Sequence, residues 1–109
     1  MTNKPFSYEK LLWAFEHDDN FLVDETLFYF DDDPYREDHY IGCLRNYEKP
    51  YWAGYCDIQD GCEYSSAAEL FNAPIYNGHS IKEKLESIVL VNIGGFSADD
   101  WYKIYKDEI

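Results

Sequence analysis

Six side chains could hold a metal or begin nucleophilic chemistry: Cys43, Cys56, Cys62, His17, His39 and His79. A structural zinc site needs ligands paired on tight knuckles, and none of the cysteine spacings provides one. In a hairpin register that sets Cys43 opposite Cys56 the two thiols meet. His39 then stands four residues back along its strand, roughly 13 Å away at about 3.3 Å per residue. A cross-strand thiol pair in the core is the plainer expectation, with Cys56 and Cys62 across the Asp60-Gly61 turn as the other pairing. The run Asp57, Gln59, Asp60, Gly61, Glu63 has the composition of a calcium loop, but its glycine falls one position early and the closing glutamate is missing. Nucleophilic catalysis needs a cysteine or serine within reach of an oriented histidine. The histidines stand in polar or turn contexts without a local motif, so they are expected at the surface and no residue is assigned a catalytic role. The turn Asn92-Ile93-Gly94-Gly95 precedes a helix start that holds Asp99 and Asp100, whose charges repel phosphate. The expectation is therefore no metal, no cofactor and no catalysis.

The charge is more informative. The chain has 109 residues with 22 acidic side chains against nine basic ones, a net charge of −13, and a pI near 4.3. Such a surface repels nucleic acid and anionic membrane and attracts cations or basic proteins. Eleven of the acidic residues, but only three of the basic ones, stand before His39. The segment DDDPYRED concentrates them: Asp31, Asp32, Asp33, Glu37 and Asp38 flank Tyr35, and Tyr40 follows closely. Tyrosine offers rigid contact area with a hydrogen-bonding tip, a composition suited to interfaces. Three consecutive carboxylates on an extended loop point different ways, so a solvated loop is expected there and not an ion site.

The elements that must position these residues follow from pattern. Leu11, Leu12 and Phe15 share the period of a helix from about Tyr8 to His17, with Phe6 and Ser7 as staple and cap. The Asp18 to Asn20 run breaks it, and FLVDETLFYF is rich in aromatic and branched residues that favour one or two strands. His39 to Tyr47 and Tyr51 to Ile58 form a hairpin around Glu48, Lys49 and Pro50, with Trp52 on its second strand. Ser66 with Glu69 is a capping box that opens a short helix over Ala67 to Asn72, which Pro74 stops. Asn77-Gly78 makes a turn, and Ser80 with Glu83 is a second capping box that opens a helix ahead of the buried strand IVLVNI. Gly94-Gly95 ends that strand, and Ser97 caps a last helix whose inward face is Trp101, Ile104 and Tyr105.

These elements make a single α+β domain over residues 1–109, a small antiparallel sheet of about four strands with helices mainly on one face, and an acidic loop near 31–38. The length suits one domain. No export signal or membrane-length apolar run stands in the sequence, and three cysteines are an odd number for a secreted disulfide framework. A cytoplasmic protein is expected.

In composition alone, the acidic and aromatic-rich chain resembles toxin-neutralising immunity proteins and nucleic-acid mimics, which present carboxylates where phosphates would lie. That resemblance implies a non-catalytic inhibitor of a basic partner, such as a nuclease or a DNA-binding protein. The contact set would be Asp31, Asp32, Asp33, Glu37 and Asp38, with Tyr35 and Tyr40 as anchors. The alternative is a regulatory or adaptor domain that binds through the aromatic hairpin, with Tyr51, Trp52 and Tyr55. A small enzyme built around His39 or a cysteine is a third class, without catalytic spacing to support it.

Overall fold

A computed structural model describes residues 8–17, 25–44 and 46–105. Its elements are α1 (Tyr8–Glu16), β1 (Thr26–Phe30), β2 (His39–Cys43), β3 (Tyr51–Gly54), β4 (Cys62–Tyr64), α2 (Ala67–Asn72), a 3-10 turn (Leu85–Ser87), β5 (Ile88–Ile93), β6 (Phe96–Ser97) and α3 (Ala98–Tyr105). The architecture is mixed α and β, with one antiparallel sheet of six strands in the order β4-β3-β2-β1-β5-β6. Six strands replace the expected four or so because β4 and β6 are three and two residues long. That is too short to show alternation in a sequence. The expected cap and staple at Phe6 and Ser7, and the first part of FLVDETLFYF, lie outside the described residues, as do the side chains of Ile104 and Tyr105.

Period-two alternation sorts the strands into faces. Thr26, Phe28 and Phe30 of β1 are buried. Register places Thr26 opposite Ile41, Phe28 opposite His39, Ile41 opposite Ala53, and Ala53 opposite Cys62. These residues form the core face. Helix α1 contributes Leu11, Ala14 and Phe15, and α2 contributes Ala67, Leu70 and Phe71. The Phe15 and Phe71 rings meet edge-on at 5.1 Å, and the Tyr51 hydroxyl donates to the Phe15 carbonyl at 3.4 Å, tying α1 to β3. Trp101 carries α3 into the same core. Full burial of such side chains stabilises by about 1.5–3 kcal/mol each.

The other face of the sheet carries Leu27, Tyr29, Tyr40 and Trp52, all half-buried. Tyr40 pairs with Gly54, and Trp52 with Gly42.

The hairpin of β2 and β3 is shorter than expected and its register differs. Leu44 N–H donates to the Pro50 carbonyl at 2.7 Å and Tyr47 N–H to the Leu44 carbonyl at 3.2 Å, so the turn already begins after Cys43. Cys43 therefore faces Tyr51, and the Cys43–Cys56 pairing is corrected. The Ser66 capping box forms as expected, with Glu69 N–H donating to Ser66 Oγ at 3.1 Å. The second box also forms. Glu83 N–H donates to Ser80 Oγ at 3.1 Å and Ser80 N–H to the Glu83 carboxylate at 3.0 Å. The expected α-helix after it does not follow, because β5 claims the chain from Ile88 and leaves room only for turns and one 3-10 segment.

Candidate functional site

The β1–β2 connection holds the acidic segment, and its shape is set by Asp33. One carboxylate oxygen of Asp33 accepts from Tyr35 N–H at 3.0 Å and the other from Glu37 N–H at 3.0 Å. These bonds hold the Asp33 carboxyl below its ordinary range, Glu37 N–H being the larger influence. Asp32 pairs with the Lys84 ammonium, which lowers its pKa as well. Ser87 Oγ reaches the same carboxylate at 3.5 Å, and Asp31 N–H donates to the Ser87 carbonyl at 2.7 Å. The loop is thus fastened to the 3-10 turn and folded on its own aspartate. Tyr35 stands at its tip with 83% of its surface exposed, and Asp31, Glu37 and Asp38 face solvent around it. Arg36 adopts φ 48°, and its guanidinium lies over the Tyr29 ring at 5.4 Å.

Beneath this loop opens a cleft of about 590 Å³ that reaches His39, Tyr55, Cys56, Asp57, Tyr76 and His79. His39 corrects the expectation of surface histidines: it is buried, with Phe28, Phe30 and Tyr76 around it at centroid distances of 5.4, 5.2 and 5.1 Å. The signal was available, because His39 alternates with Ile41 and Cys43 along β2 and so shares their inward face. His39 Nδ1 is hydrogen-bonded to the Tyr55 carbonyl. A carbonyl can only accept, so Nδ1 carries the hydrogen. Tyr55 itself adopts φ 55°, a left-handed conformation that costs an aromatic residue about 1–2 kcal/mol. His17 and His79 are exposed as expected.

On the far side of the cleft, Asp57 accepts from Asn77 N–H at 2.9 Å and Gly78 N–H at 3.0 Å. Its own N–H donates to the Ile75 carbonyl at 2.7 Å. Sequence reasoning weighed Asp57 only as a calcium ligand and passed over Tyr76 and Lys84, whose partners stand far away along the chain. The Tyr76 hydroxyl is buried with no hydrogen-bond partner in the described structure, and burial pushes its pKa well up.

Tyr55 also lines a second concavity of about 730 Å³ with Tyr40, Trp52, Ile58 and Asp60. The Tyr40 and Tyr55 rings lie 5.5 Å apart. Tyr35, Tyr40 and Trp52 are therefore not one cluster: Tyr35 belongs to the loop tip, and Tyr40 and Trp52 to the sheet face. Arg36 and Tyr55 join the two regions. Among the described residues, no group of three or more His, Cys, Asp or Glu side chains is gathered as a metal site. No helix among them is long and apolar enough to cross a membrane. No family model, curated protein or solved structure matches the chain.

Proposed function

We propose that the chain is a non-catalytic protein-binding module of the cytoplasm that neutralises a basic partner, as an inhibitor or immunity-type protein does. The observation that carries this reading is the fastened acidic loop. Asp33 and Asp32 hold its shape, and Asp31, Glu37 and Asp38 are exposed around an exposed Tyr35. An ordered loop loses less conformational entropy on binding than a mobile one. The net charge of −13 supplies long-range attraction for a cationic surface. The Tyr40 and Trp52 face of the sheet extends the contact area beyond the loop. A nuclease or a DNA-binding protein has the complementary charge, with the carboxylates taking the place of phosphates.

The test compares the wild-type chain with the D31N/E37Q/D38N variant, which leaves the Asp33 and Asp32 fastenings intact. Association with a captured basic protein is expected to slow at least several-fold in the variant and to weaken as salt rises. An association rate the same for both chains would overturn the reading.

A second reading, a regulatory or adaptor domain engaged through the aromatic hairpin, is favoured by Tyr55, 71% exposed beside Tyr40. It expects binding insensitive to salt and lost in Trp52→Ala.

A further inference from the structure

We propose that Cys56 and Cys62 are a dithiol that closes to an intramolecular disulfide, stapling the loop that carries Tyr55 and Asp57. The inference is independent of any partner. It starts from the path of the chain. Cys62 pairs with Ala53 on the core face of the sheet, and Cys56 follows Ala53 by three residues. The segment between them folds back sharply: Asp60 and Gly61 both adopt positive φ, 70° and 81°, and Gly61 N–H donates to the Ile58 carbonyl at 3.0 Å. A β-carbon at position 61 would strike the Ala53 carbonyl, so the return is tight enough to demand glycine. Cys56 Sγ lies 3.7 Å from the same Ile58 carbonyl that accepts from the N–H of Gly61, the residue before Cys62, so one turn gathers both cysteines. Both are free thiols, both half-buried against the core. Cys43, the remaining cysteine, is buried at the far end of β2, opposite Tyr51.

The surroundings tolerate the oxidised form. The contact of Cys56 Sγ with the Ile58 carbonyl belongs to no helix or strand ladder, so closing the sulfurs on each other breaks no backbone pairing.

The oxidant is a small aliphatic disulfide. Cys62 gives its proton to solvent, and its sulfur attacks one sulfur of the oxidant. A protein–oxidant S–S bond forms, the oxidant's own S–S bond breaks, and the departing thiolate takes up a proton. Cys56 Sγ then attacks Cys62 Sγ, forming the protein disulfide and expelling the second small thiolate, which receives the Cys56 proton. The protein loses two electrons, and the oxidant is reduced to two thiols. Burial pushes the Cys56 thiol up, so Cys56 suits the second step, where proximity compensates for a small thiolate fraction.

The experiment treats the folded, full-length, wild-type chain with excess oxidised glutathione, quenches it, unfolds it and alkylates every remaining thiol. Alkylatable thiols are expected to fall from three to one. Peptide mapping should join Cys56 to Cys62 and leave the alkyl group on Cys43. Cys62→Ser should form no internal link and carry only glutathione. Three thiols surviving the treatment, a link that includes Cys43, or a stable glutathione adduct on the wild-type chain would each overturn the proposal. As a second readout, amide exchange over residues 57–61 should slow on oxidation, and unchanged exchange in a chain shown to be linked would overturn the stapling role.

Discussion

The Trp52 indole lies against Gly42 of the neighbouring strand so closely that a β-carbon there would stand 2.7 Å from three of its ring atoms. Gly42 is buried, and this ring stands over it. Gly42→Ala must therefore lift the indole from the sheet or push the strands apart, at a cost of about 1–3 kcal/mol for an overpacked site. Urea unfolding should show a lower midpoint with unchanged slope, and tryptophan emission should move to longer wavelength as the ring gains water. A midpoint equal to that of the wild-type chain would mean the ring is free to move aside.

That relationship also marks how far the sequence carries. The glycine at position 42 is plain in the sequence, but what approaches it depends on a register that the residues alone leave open. Local signals fare best: the Ser66 and Glu69 pair and Pro74 bracket α2 correctly, because a capping box and a proline act within a few residues. The Ser80 and Glu83 pair forms the full reciprocal box, yet the sheet's demand for β5 overrides the helix that would follow. The acidic loop is visible in composition. Its fastening is not, since Lys84 and Ser87 reach Asp32 from more than fifty residues away. Of the proposed contact residues, Asp31 through Asp38 are gathered by adjacency in the chain, whereas Tyr40 and Trp52 come to neighbouring strands of one face only through strand pairing.

Asp57 joins the β3–β4 loop to the Asn77-Gly78 turn through two backbone N–H groups. An asparagine in its place keeps one acceptor oxygen and turns an amide donor toward the other N–H. Asp57→Asn is expected to cost about 1.5–3 kcal/mol, the range for a hydrogen bond to a charged group. Chemical denaturation measures the loss, and amide exchange should locate it at Asn77 and Gly78. Exchange there as slow as in the parent chain would show that the turn holds without the carboxylate.

Acid should release the acidic loop. Asp32, Asp33 and Glu83 are all held below their ordinary range, Asp32 by Lys84, Asp33 by the Glu37 and Tyr35 N–H groups, and Glu83 by the Ser80 N–H. A carboxyl whose folded pKa is depressed stabilises the fold above its unfolded value and loses that contribution as pH falls through the folded one. The contribution should be complete above about pH 4.5 and fade below about pH 4, where unperturbed carboxylates protonate. Self-repulsion at a net charge of −13 runs the other way, easing as acid neutralises the surface. Comparing the wild-type chain with Asp33→Asn separates the two effects. The difference in melting temperature should be largest at neutral pH and shrink toward pH 3, and a difference constant across that range would deny Asp33 its role in the loop.

Tyr76 makes the opposite kind of prediction. Its ring packs edge-on against Phe28 at 5.8 Å, Phe30 at 5.5 Å and His39 at 5.1 Å, while its hydroxyl is buried without a hydrogen-bond partner in the described structure. A buried donor left unmade costs about 1–3 kcal/mol, and phenylalanine keeps the ring while removing that donor. Tyr76→Phe should therefore leave stability unchanged or raise it by about 1 kcal/mol, whereas Tyr76→Ala, which empties the box around His39, should lower it by about 3–5 kcal/mol. The pair of variants reads ring and hydroxyl separately. A loss of more than about 1 kcal/mol in Tyr76→Phe, the range of an ordinary intramolecular hydrogen bond, would mean that the hydroxyl holds a bridging water in the cleft, and the aromatic box would then be a hydrated site and not a dry one.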